Sequence, residues 1–304
     1  MKRVYGAPVV VVLGPTSSGK TKLAVRLAKK FHGEVISADS RQVYRGLDIG
    51  TGKDIGEYGR IRHHLIDVVS PKTQYTLADW LVNARKIIGE LHERGILPVV
   101  CGGTGLYINA LVDGYQLPIT KKTKQQERVI RKKIENKTLR QLLAILKRVD
   151  PETFRIIDLN NRRRIERALE IYYQTGLPKS AVVSMKKPPY DFLLIGLAHP
   201  RDVLRRRISV RLKARLKQGM VGEVKRLHRQ GVSWKRLEAF GLEYRYIAHY
   251  LQGTMTRSRM ITELEQAIYD FSRRQMTWFK RNKDIVWVTA MPKAVSVTRK
   301  FMGN

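Results

Sequence analysis

A buried strand, a glycine-rich loop and a helix follow one another near the N-terminus, and this order constrains the fold more than any other stretch. Residues 8–13 are almost all apolar and mostly β-branched, as in a parallel strand that is buried on both faces. Gly14–Thr21 fits the pattern G-x-x-x-x-G-K-[S/T] without a mismatch. Apolar residues at helical spacing follow at Leu23, Ala24, Leu27, Ala28 and Phe31. The segment therefore predicts an α/β fold with a phosphate-binding loop.

The chemistry of this loop is local. Its glycines allow several backbone N–H groups to point at phosphate oxygens, and the following helix adds positive potential at its N-terminus. Lys20 supplies a mobile cation, and the hydroxyl of Thr21 can bind Mg²⁺. The predicted phosphate-binding residues are Gly14, Pro15, Thr16, Ser17, Ser18, Gly19, Lys20 and Thr21.

Further apolar segments predict more strands of the same sheet. They cover residues 34–38, 64–69, 96–101, 192–198 and 286–288. Asp39 follows the first of these, and a second glycine turn with Thr104 follows the third. Because ligands bind beyond the carboxyl ends of parallel strands, we expect both residues on the rim that carries the phosphate loop. A carboxylate there can hold magnesium, accept a proton or cap a helix.

The charge of the chain predicts a polyanionic partner. Lys and Arg number 59 against 26 acidic residues, a net charge of +33. Residues 1–117 carry only +6 of this, and residues 118–304 carry +27. A nucleic acid is favoured over a membrane surface, because no apolar run has transmembrane length and the N-terminus lacks a signal-peptide pattern. We expect a cytoplasmic protein without membrane association.

The composition changes after residue 117. Residues 118–189 predict a basic helical insertion, and residues 1–117 with 190–304 predict a phosphate-loop NTPase-like core, a parallel sheet flanked by helices. In the core, Arg207 and Arg211 are four residues apart on one predicted helix, so this face can reach the phosphate site. The one cysteine, Cys101, ends an apolar run and is expected in the core.

Several blocks of sequence resemble the tRNA dimethylallyltransferases, also called tRNA isopentenyltransferases. Besides the phosphate loop, the matching blocks are ISADSRQVYRGLDIGTGK at 36–53, HHLIDVVSP at 63–71, VCGGTGLY at 100–107, RIERALE at 164–170 and RRQMTWF at 273–279. The first of these is specific, since ordinary phosphate-loop kinases do not carry it. The resemblance extends over nearly the whole chain.

The resemblance implies a reaction and a set of roles. A dimethylallyl group moves from its diphosphate to the exocyclic amine of the adenosine 3′ of the anticodon in tRNA, with Mg²⁺ as cofactor. The phosphate loop then holds the diphosphate leaving group rather than ATP. Asp39 matches the catalytic base or a group that orients the amine, Arg207 matches a diphosphate clamp, and Thr21 matches the magnesium ligand. Dimethylallyl diphosphate and tRNA are the implied partners of a protein that we expect to be a monomer.

The same resemblance implies a tRNA-binding set. Carried over by position, it consists of Asp39, Ser40, Arg41, Gln42, Thr104, Arg131, Arg163, Arg164, Ile165, Glu166 and Arg167. The target base is expected to leave its stack to reach the site. The chain departs from the family at Gly241–Arg245, where many bacterial members read G-Y-K/R, and at Tyr269, where they carry an arginine. These departures concern tRNA contacts near the C-terminus.

Three alternatives stay open at this point. A small-molecule phosphate-loop kinase explains residues 14–21 but neither the basic second half nor the block around Asp39. An adenylate isopentenyltransferase that uses free AMP or ATP shares the chemistry, although a free nucleotide needs no basic helical insertion. An RNA-binding module with a vestigial loop is disfavoured by the intact Lys20, Thr21 and Asp39.

Overall fold

The computed structural model of the chain describes residues 7–117 and 124–303. The strands are β1 Ala7–Leu13, β2 Gly33–Ser37, β3 His63–His64, β4 Leu97–Gly102, β5 Tyr115–Gln116, β6 Ser184–Met185, β7 Tyr190–Leu197 and β8 Val286–Val288. The helices are α1 Lys20–Lys30, α2 Leu77–Glu93, α3 Gly105–Val112, α4 Lys124–Glu135, α5 Leu139–Val149, α6 Pro151–Ile156, α7 Arg162–Thr175, α8 Lys179–Val182, α9 Arg201–Lys217, α10 Met220–Arg229, α11 Trp234–Phe240, α12 Leu242–Leu251, α13 Arg257–Phe279 and α14 Met291–Phe301.

The predicted parallel sheet is confirmed. Six strands lie in the order β3-β2-β4-β1-β7-β8, and every neighbouring pair is parallel. The central strand β1 is buried between β4 and β7, with Val10 opposite Val99 on one side and Leu193 on the other. This position explains the uninterrupted apolar run at residues 9–13, because a strand covered on both faces has no side that must be polar.

The chain separates into two compact units. One unit comprises the residues up to Val112 and from Pro189 onward, and the other comprises Asp113–Pro188. The second unit holds α4 to α8 and the antiparallel pair β5–β6. The core of this unit consists of Ile130, Ile134, Leu142, Leu146, Ile165, Ala168 and Leu169. The expected boundary at residue 118 lies outside the described residues.

Helix α2 begins with a capping box. The hydroxyl of Thr76 accepts a hydrogen bond from the backbone N–H of Asp79, and the Asp79 carboxylate accepts one from the N–H of Thr76. This capping box satisfies N–H groups that lack partners within the helix. The apolar face of α2 is buried through Trp80, and the Trp80 indole donates to the carbonyl of Ser37 at the end of β2.

The strand expected at residues 64–69 is wrong in its length. Only His63–His64 pairs with β2, and a single parallel bridge joins Tyr44 to Val69. Leu65 and Asp67 have φ angles of 60° and 56°, which bend the chain out of the extended conformation. The carboxylate of Asp67 instead bonds the ammonium of Lys53. This contact is remote in sequence, so an apolar pattern does not predict it.

Among the described residues, no helix is long and apolar enough to cross a membrane.

Candidate active site at the carboxyl edge of the sheet

The phosphate loop leaves β1 and enters α1 through left-handed backbone. Ser17 and Gly19 have φ angles of 61° and 89°, and the N–H of Ser18 donates to the carbonyl of Pro15 over 3.3 Å. The side-chain oxygen of Ser18 is buried and has no hydrogen-bond partner among the described residues. A buried hydroxyl without a partner is costly. A bound anion would satisfy it, which suits the phosphate-binding role that the sequence predicts for this loop.

Lys20 lies at the start of α1 and turns back toward the loop. Its ammonium donates to the carbonyl of Pro15 over 3.2 Å. Burial lowers the pKa of Lys20, and the positive charges of Arg211 and Arg215 lower it further, while Asp39 opposes them. An anionic ligand in the loop would favour the protonated form of Lys20.

The Asp39 segment is bonded to the second glycine turn. The backbone N–H of Ser40 donates to the Thr104 hydroxyl over 3.1 Å, and the N–H of Thr104 donates to the carbonyl of Ala38 over 3.3 Å. A Cβ at Gly102 would lie 2.2 Å from that same carbonyl oxygen, so only glycine permits this approach. The Asp39 carboxylate accepts from the N–H of Arg41 over 2.9 Å, which orients it. The structure thus brings Asp39 and Thr104 together on the predicted rim.

Gln275 joins this second turn to the phosphate loop. Its side-chain oxygen accepts from the N–H of Thr16 over 2.8 Å, and its nitrogen donates to the carbonyl of Gly103 over 2.8 Å. Gln275 is buried in α13 on the face that also buries Ile268 and Phe279. The sequence analysis did not predict Gln275 as a site residue. The available signal was a polar residue on the apolar face of a helix, within the block RRQMTWF.

Arg207 reaches the phosphate loop from α9. Its guanidinium Nη1 donates to the carbonyl of Ser18 over 3.1 Å and lies 2.7 Å from Nε2 of His199. The same His199 nitrogen lies 2.8 Å from the Ser18 carbonyl oxygen. Arg207 is exposed at this position. The expected approach of its helix face to the loop is therefore observed, whereas Arg211, one turn on, pairs with Asp54.

The side chains of Arg41 and Gln42 form hydrogen bonds within the protein. The Arg41 Nε donates to the carbonyl of Phe240 over 2.7 Å. Gln42 is buried, accepts from the Ser37 hydroxyl over 3.0 Å and donates to the carbonyl of Gly52 over 3.1 Å. Gln42 therefore fixes the rim segment that follows Asp39, and both its amide oxygen and its amide nitrogen have partners within the protein.

A buried carboxylate holds the next part of the rim. Glu223 accepts from the backbone N–H groups of Asp48, Ile49 and Gly50 at 3.0, 2.7 and 3.1 Å, and from the Tyr244 hydroxyl at 2.7 Å. The segment Gly241–Arg245, where the chain departs from the family pattern, thus supplies the Tyr244 hydroxyl that donates to Glu223. It also brings Glu243 to 3.8 Å from Arg215. Sequence reasoning missed Glu223, which lies some 175 residues away from the segment that it holds.

The helical unit carries the remaining predicted tRNA-binding residues. Arg131, Arg163, Arg164 and Arg167 are exposed. Glu166 is partly buried and pairs with Arg162 over 2.8 Å. The prediction that Ile165 binds tRNA is wrong. Ile165 is 0% exposed and packs in the core of the unit, so it has no accessible surface for a tRNA. Its place in RIERALE reflects the apolar face of α7.

The residues near the loop fit a magnesium ion that is coordinated mainly by water and by the phosphate oxygens of a bound substrate. The described residues contain no group of three or more His, Cys, Asp or Glu side chains able to hold a metal. The Thr21 hydroxyl and the Asp39 carboxylate offer hard oxygen donors, which suits an ion that keeps waters and takes phosphate oxygens. Cys101 is buried as expected, and burial raises the pKa of its thiol to about 12, so it is a core residue rather than a ligand.

Two known protein families together match residues 7–282 of the chain. The family described as IPP transferase matches residues 42–282, and the family described as isopentenyl transferase matches residues 7–62.

Individual relatives cover most of the chain. A protein of Geotalea daltonii named tRNA dimethylallyltransferase 1 is 42% identical over 273 residues, which are 90% of this chain and 86% of that protein. One of Trichlorobacter lovleyi named tRNA dimethylallyltransferase 2 is 40% identical over 309 residues, 100% of this chain and 99% of that protein.

Two solved structures share the fold. The tRNA isopentenylpyrophosphate transferase of Bacillus halodurans is 34% identical, with a TM-score of 0.71 over 97% of this chain and 95% of its own. A eukaryotic dimethylallyltransferase acting on tRNA is 25% identical, with a TM-score of 0.82 over 98% of this chain and 80% of its own.

Proposed function

This chain belongs to the IPP transferase family of tRNA-modifying prenyltransferases, and we propose that it moves a dimethylallyl group from dimethylallyl diphosphate to the exocyclic amine of the adenosine 3′ of the anticodon. The family membership favours tRNA prenylation over the kinase, free-nucleotide and vestigial-loop alternatives. One observation carries the finer proposal. The segment that carries the Asp39 carboxylate is joined by hydrogen bonds to the second glycine turn, and that turn is joined through Gln275 to the loop proposed to bind phosphate.

The phosphate loop is suited to a diphosphate leaving group. When the bond between the allylic carbon and the diphosphate oxygen breaks, its electron pair stays on the diphosphate and negative charge grows there. The loop N–H groups, the Ser18 hydroxyl and the Lys20 ammonium can stabilise this charge, with Arg207 bonded to the loop from outside. No ATP hydrolysis is required by this chemistry.

Asp39 serves the acceptor side. As the amine nitrogen of adenosine forms its bond to the allylic carbon, it must lose a proton, and the Asp39 carboxylate accepts it. The hydrogen bond from the N–H of Arg41 fixes one carboxylate oxygen and leaves the other for this task. Magnesium, when bound with Thr21, would neutralise charge on the diphosphate oxygens.

Recognition of tRNA is assigned to exposed basic residues of the helical unit and to the Asp39 rim. Arg131, Arg163, Arg164 and Arg167 present guanidinium groups to solvent, as phosphate contacts require. Ser40 and Thr104 bond each other beside Asp39, where a base extruded from the anticodon loop would arrive. We also propose that this enzyme is cytoplasmic and monomeric.

A transfer assay tests the proposal. The full chain is mixed with Mg²⁺ and radiolabelled dimethylallyl diphosphate, and either unmodified tRNA or AMP is offered as acceptor. A tRNA transcript with guanosine in place of the adenosine 3′ of the anticodon is the matched control. We expect label in the first tRNA alone.

The other outcomes separate the parts of the proposal. Label in the guanosine transcript would contradict the assigned position, and label in AMP would contradict the assigned acceptor. Absence of label from every acceptor would contradict dimethylallyl diphosphate as the donor.

A further inference from the structure

A histidine lies beside the phosphate loop, just after the carboxyl end of β7. Strand β7 is a neighbour of β1 in the sheet, and Gly196 pairs with Leu13 in their register. The loop begins directly after Leu13, and His199 follows Gly196 by three residues. A Cβ at Gly14 would lie 2.7 Å from the carbonyl oxygen of Leu197, so the two segments run in close contact here. The register of the sheet therefore places His199 against the loop.

The His199 imidazole shares one acceptor with Arg207. Its Nε2 lies 2.8 Å from the carbonyl oxygen of Ser18, and Nη1 of Arg207 donates to the same oxygen over 3.1 Å. The two nitrogens are 2.7 Å apart. With a proton on Nε2 the imidazole donates to the carbonyl, and without this proton Nε2 accepts from Arg207. The imidazole, the guanidinium and the loop carbonyl thus form one cluster.

The direction of the Ser18 carbonyl determines where a loop N–H points. This carbonyl and the N–H of Gly19 belong to one trans peptide, so they point in opposite directions. Because His199 and Arg207 contact the carbonyl oxygen, the Gly19 N–H points away from these two side chains. It directly precedes the N–H groups of the first turn of α1, which have no acceptor within the helix. The Gly19 N–H therefore adds one donor to the set that can bind a phosphate.

Glycine leaves this peptide free to turn over. Such a rotation changes the φ angle of Gly19, which is +89°, and glycine adopts positive and negative φ about equally well. The turned peptide would present the Ser18 carbonyl oxygen, instead of the N–H, to an anion in the loop. The partial negative charge of this oxygen would repel a diphosphate. A hydrogen bond to the carbonyl from outside the loop opposes the rotation.

The two side chains on this carbonyl differ in their freedom to leave it. Arg207 is exposed, and the proposed function gives its guanidinium a second acceptor, the diphosphate. His199 is half-buried in the connection between β7 and α9. The residue before it, Ala198, donates its N–H to the carbonyl of Val288 in β8 over 3.3 Å, which anchors this connection. The imidazole can therefore stay on the carbonyl when the guanidinium turns to an anion.

We propose that His199 is a positioning residue of the diphosphate site. Its Nε2–H holds the Ser18 carbonyl and so keeps the Gly19 N–H directed at the diphosphate when Arg207 leaves the carbonyl for the ligand. This inference rests on the proposed function, because it takes the diphosphate as the ligand of the loop. It assigns no proton transfer and no covalent step to the imidazole.

Binding of inorganic pyrophosphate with Mg²⁺ to the full chain, measured by calorimetry without tRNA, is the first test. His199→Leu should weaken this binding about tenfold, as the loss of one hydrogen bond predicts. His199→Gln retains an N–H donor on its side-chain amide and should bind pyrophosphate nearly as tightly as the unmodified chain.

Steady-state transfer separates positioning from a part in the chemistry. In His199→Leu the KM for dimethylallyl diphosphate should rise about tenfold, in parallel with the weaker pyrophosphate binding. The kcat at saturating donor should stay unchanged, because a bound diphosphate then holds the Gly19 N–H itself. The affinity for tRNA should also stay unchanged.

His92→Leu is the matched control. The Nε2 of His92 lies 2.9 Å from the carbonyl oxygen of Pro8, at the end of β1 opposite the loop, and His92 is half-buried like His199. The variant removes the same kind of bond from imidazole to backbone carbonyl. It should lower the melting temperature as His199→Leu does, yet leave pyrophosphate binding and the KM for the donor unchanged.

A double variant distinguishes the carbonyl from Arg207 as the group on which His199 acts. In an Arg207→Met chain, His199→Leu should again weaken pyrophosphate binding about tenfold or more, because both donors to the Ser18 carbonyl are then removed. If His199→Leu had no further effect in that chain, His199 would serve only to hold Arg207, and the proposed role would be wrong.

Two further results would overturn the inference. They are unchanged pyrophosphate binding by His199→Leu, and a loss in His199→Gln or His92→Leu as large as that in His199→Leu. Failure of the proposed function is distinguishable, because the unmodified chain would then transfer no dimethylallyl group to tRNA, while the calorimetry with pyrophosphate would still measure the effect of His199 on the loop.

Discussion

Asp39 is the residue whose role the chemistry defines most narrowly. Asp39→Asn keeps the size of the side chain and an oxygen that can accept from the N–H of Arg41, but removes the proton acceptor. We expect kcat for transfer to fall by about 10²–10⁴-fold, the usual contribution of a general base. The dissociation constant for tRNA should stay the same. Single-turnover transfer and filter binding measure the two quantities, and an equal loss in both would assign Asp39 to tRNA binding instead.

Lys20 gives the site a pH dependence. Its pKa is lowered in the protein without ligand, first by burial, so the ammonium loses its proton at a lower pH than an ordinary lysine. Pyrophosphate binds the charged form, so affinity should fall as the pH rises through this lowered pKa. Calorimetric titrations over a broad range of pH measure the effect.

Two variants isolate that lysine from the ionisation of pyrophosphate itself. Lys20→Met should bind pyrophosphate weakly at every pH and should lack the loss of affinity with rising pH. Lys213→Met retains Lys20 and should show the same loss as the unmodified chain. If Lys20→Met kept the full pH dependence, the titrating group would be another one.

Helix α13 connects the two glycine turns through one side chain, Gln275. Gln275→Leu removes both bonds of the amide and leaves the N–H of Thr16 and the carbonyl of Gly103 without partners. Buried polar groups left unpaired cost about 1–3 kcal/mol, so the free energy of unfolding should fall by this amount. The KM for dimethylallyl diphosphate should rise as the loop loosens.

Gln266→Leu is the matched control for this helix. Gln266 is exposed, and its side chain bonds Asp270, one turn away on α13, and no other described residue, so its loss should change neither quantity. Urea unfolding and initial rates at varied donor concentration measure both variants. A stable Gln275→Leu protein with an unchanged KM would mean that the loops hold their positions without the amide.

The loop Gly14–Thr21 was predicted from the sequence and Gln275 was not, because the loop is a local feature whereas Gln275 makes contacts far away in sequence. The loop and the strands around Val10 and Val99 depend on neighbours in sequence or on a repeating apolar pattern, and both were predicted. Gln275, Glu223 and Arg215 act on backbone atoms more than 160 residues away. No local pattern contains such a pairing, and resemblance supplied only the blocks in which Gln275 lies.

Ile165 shows the opposite error. The block RIERALE was carried over as one tRNA-binding stretch, yet a helix turns successive residues to different sides. Arg163, Arg164 and Arg167 face solvent, whereas Ile165 fills the core of the helical unit. Periodicity alone would have separated them, because Ile165, Ala168 and Leu169 are spaced as one apolar face.

For the whole molecule, the uneven charge predicts how tRNA binding responds to salt. Of the net charge of +33, residues 118–304 carry +27. Each phosphate contact made by a basic side chain releases counterions, so the logarithm of the association constant falls linearly with the logarithm of salt concentration. Acidic residues of α7 already pair Arg163 and Arg167, at 3.3 and 3.0 Å from Glu170. Arg164 forms no ion pair among the described residues and is exposed, so its charge is fully available for a phosphate.

Arg164→Ala should therefore flatten the salt dependence of tRNA binding by about 0.7 in slope, the value for one contact to a single-stranded phosphate. The affinity should fall at low salt and differ less at high salt, where the electrostatic contribution is small. Lys86→Ala removes the same charge from α2, where Lys86 pairs with Glu90 over 3.7 Å, and should leave the slope unchanged. Equilibrium binding across a salt series measures all three proteins. An unaltered slope for Arg164→Ala would assign this arginine to the solvated surface, and the anticodon loop would then have to be held by other basic residues of the second half.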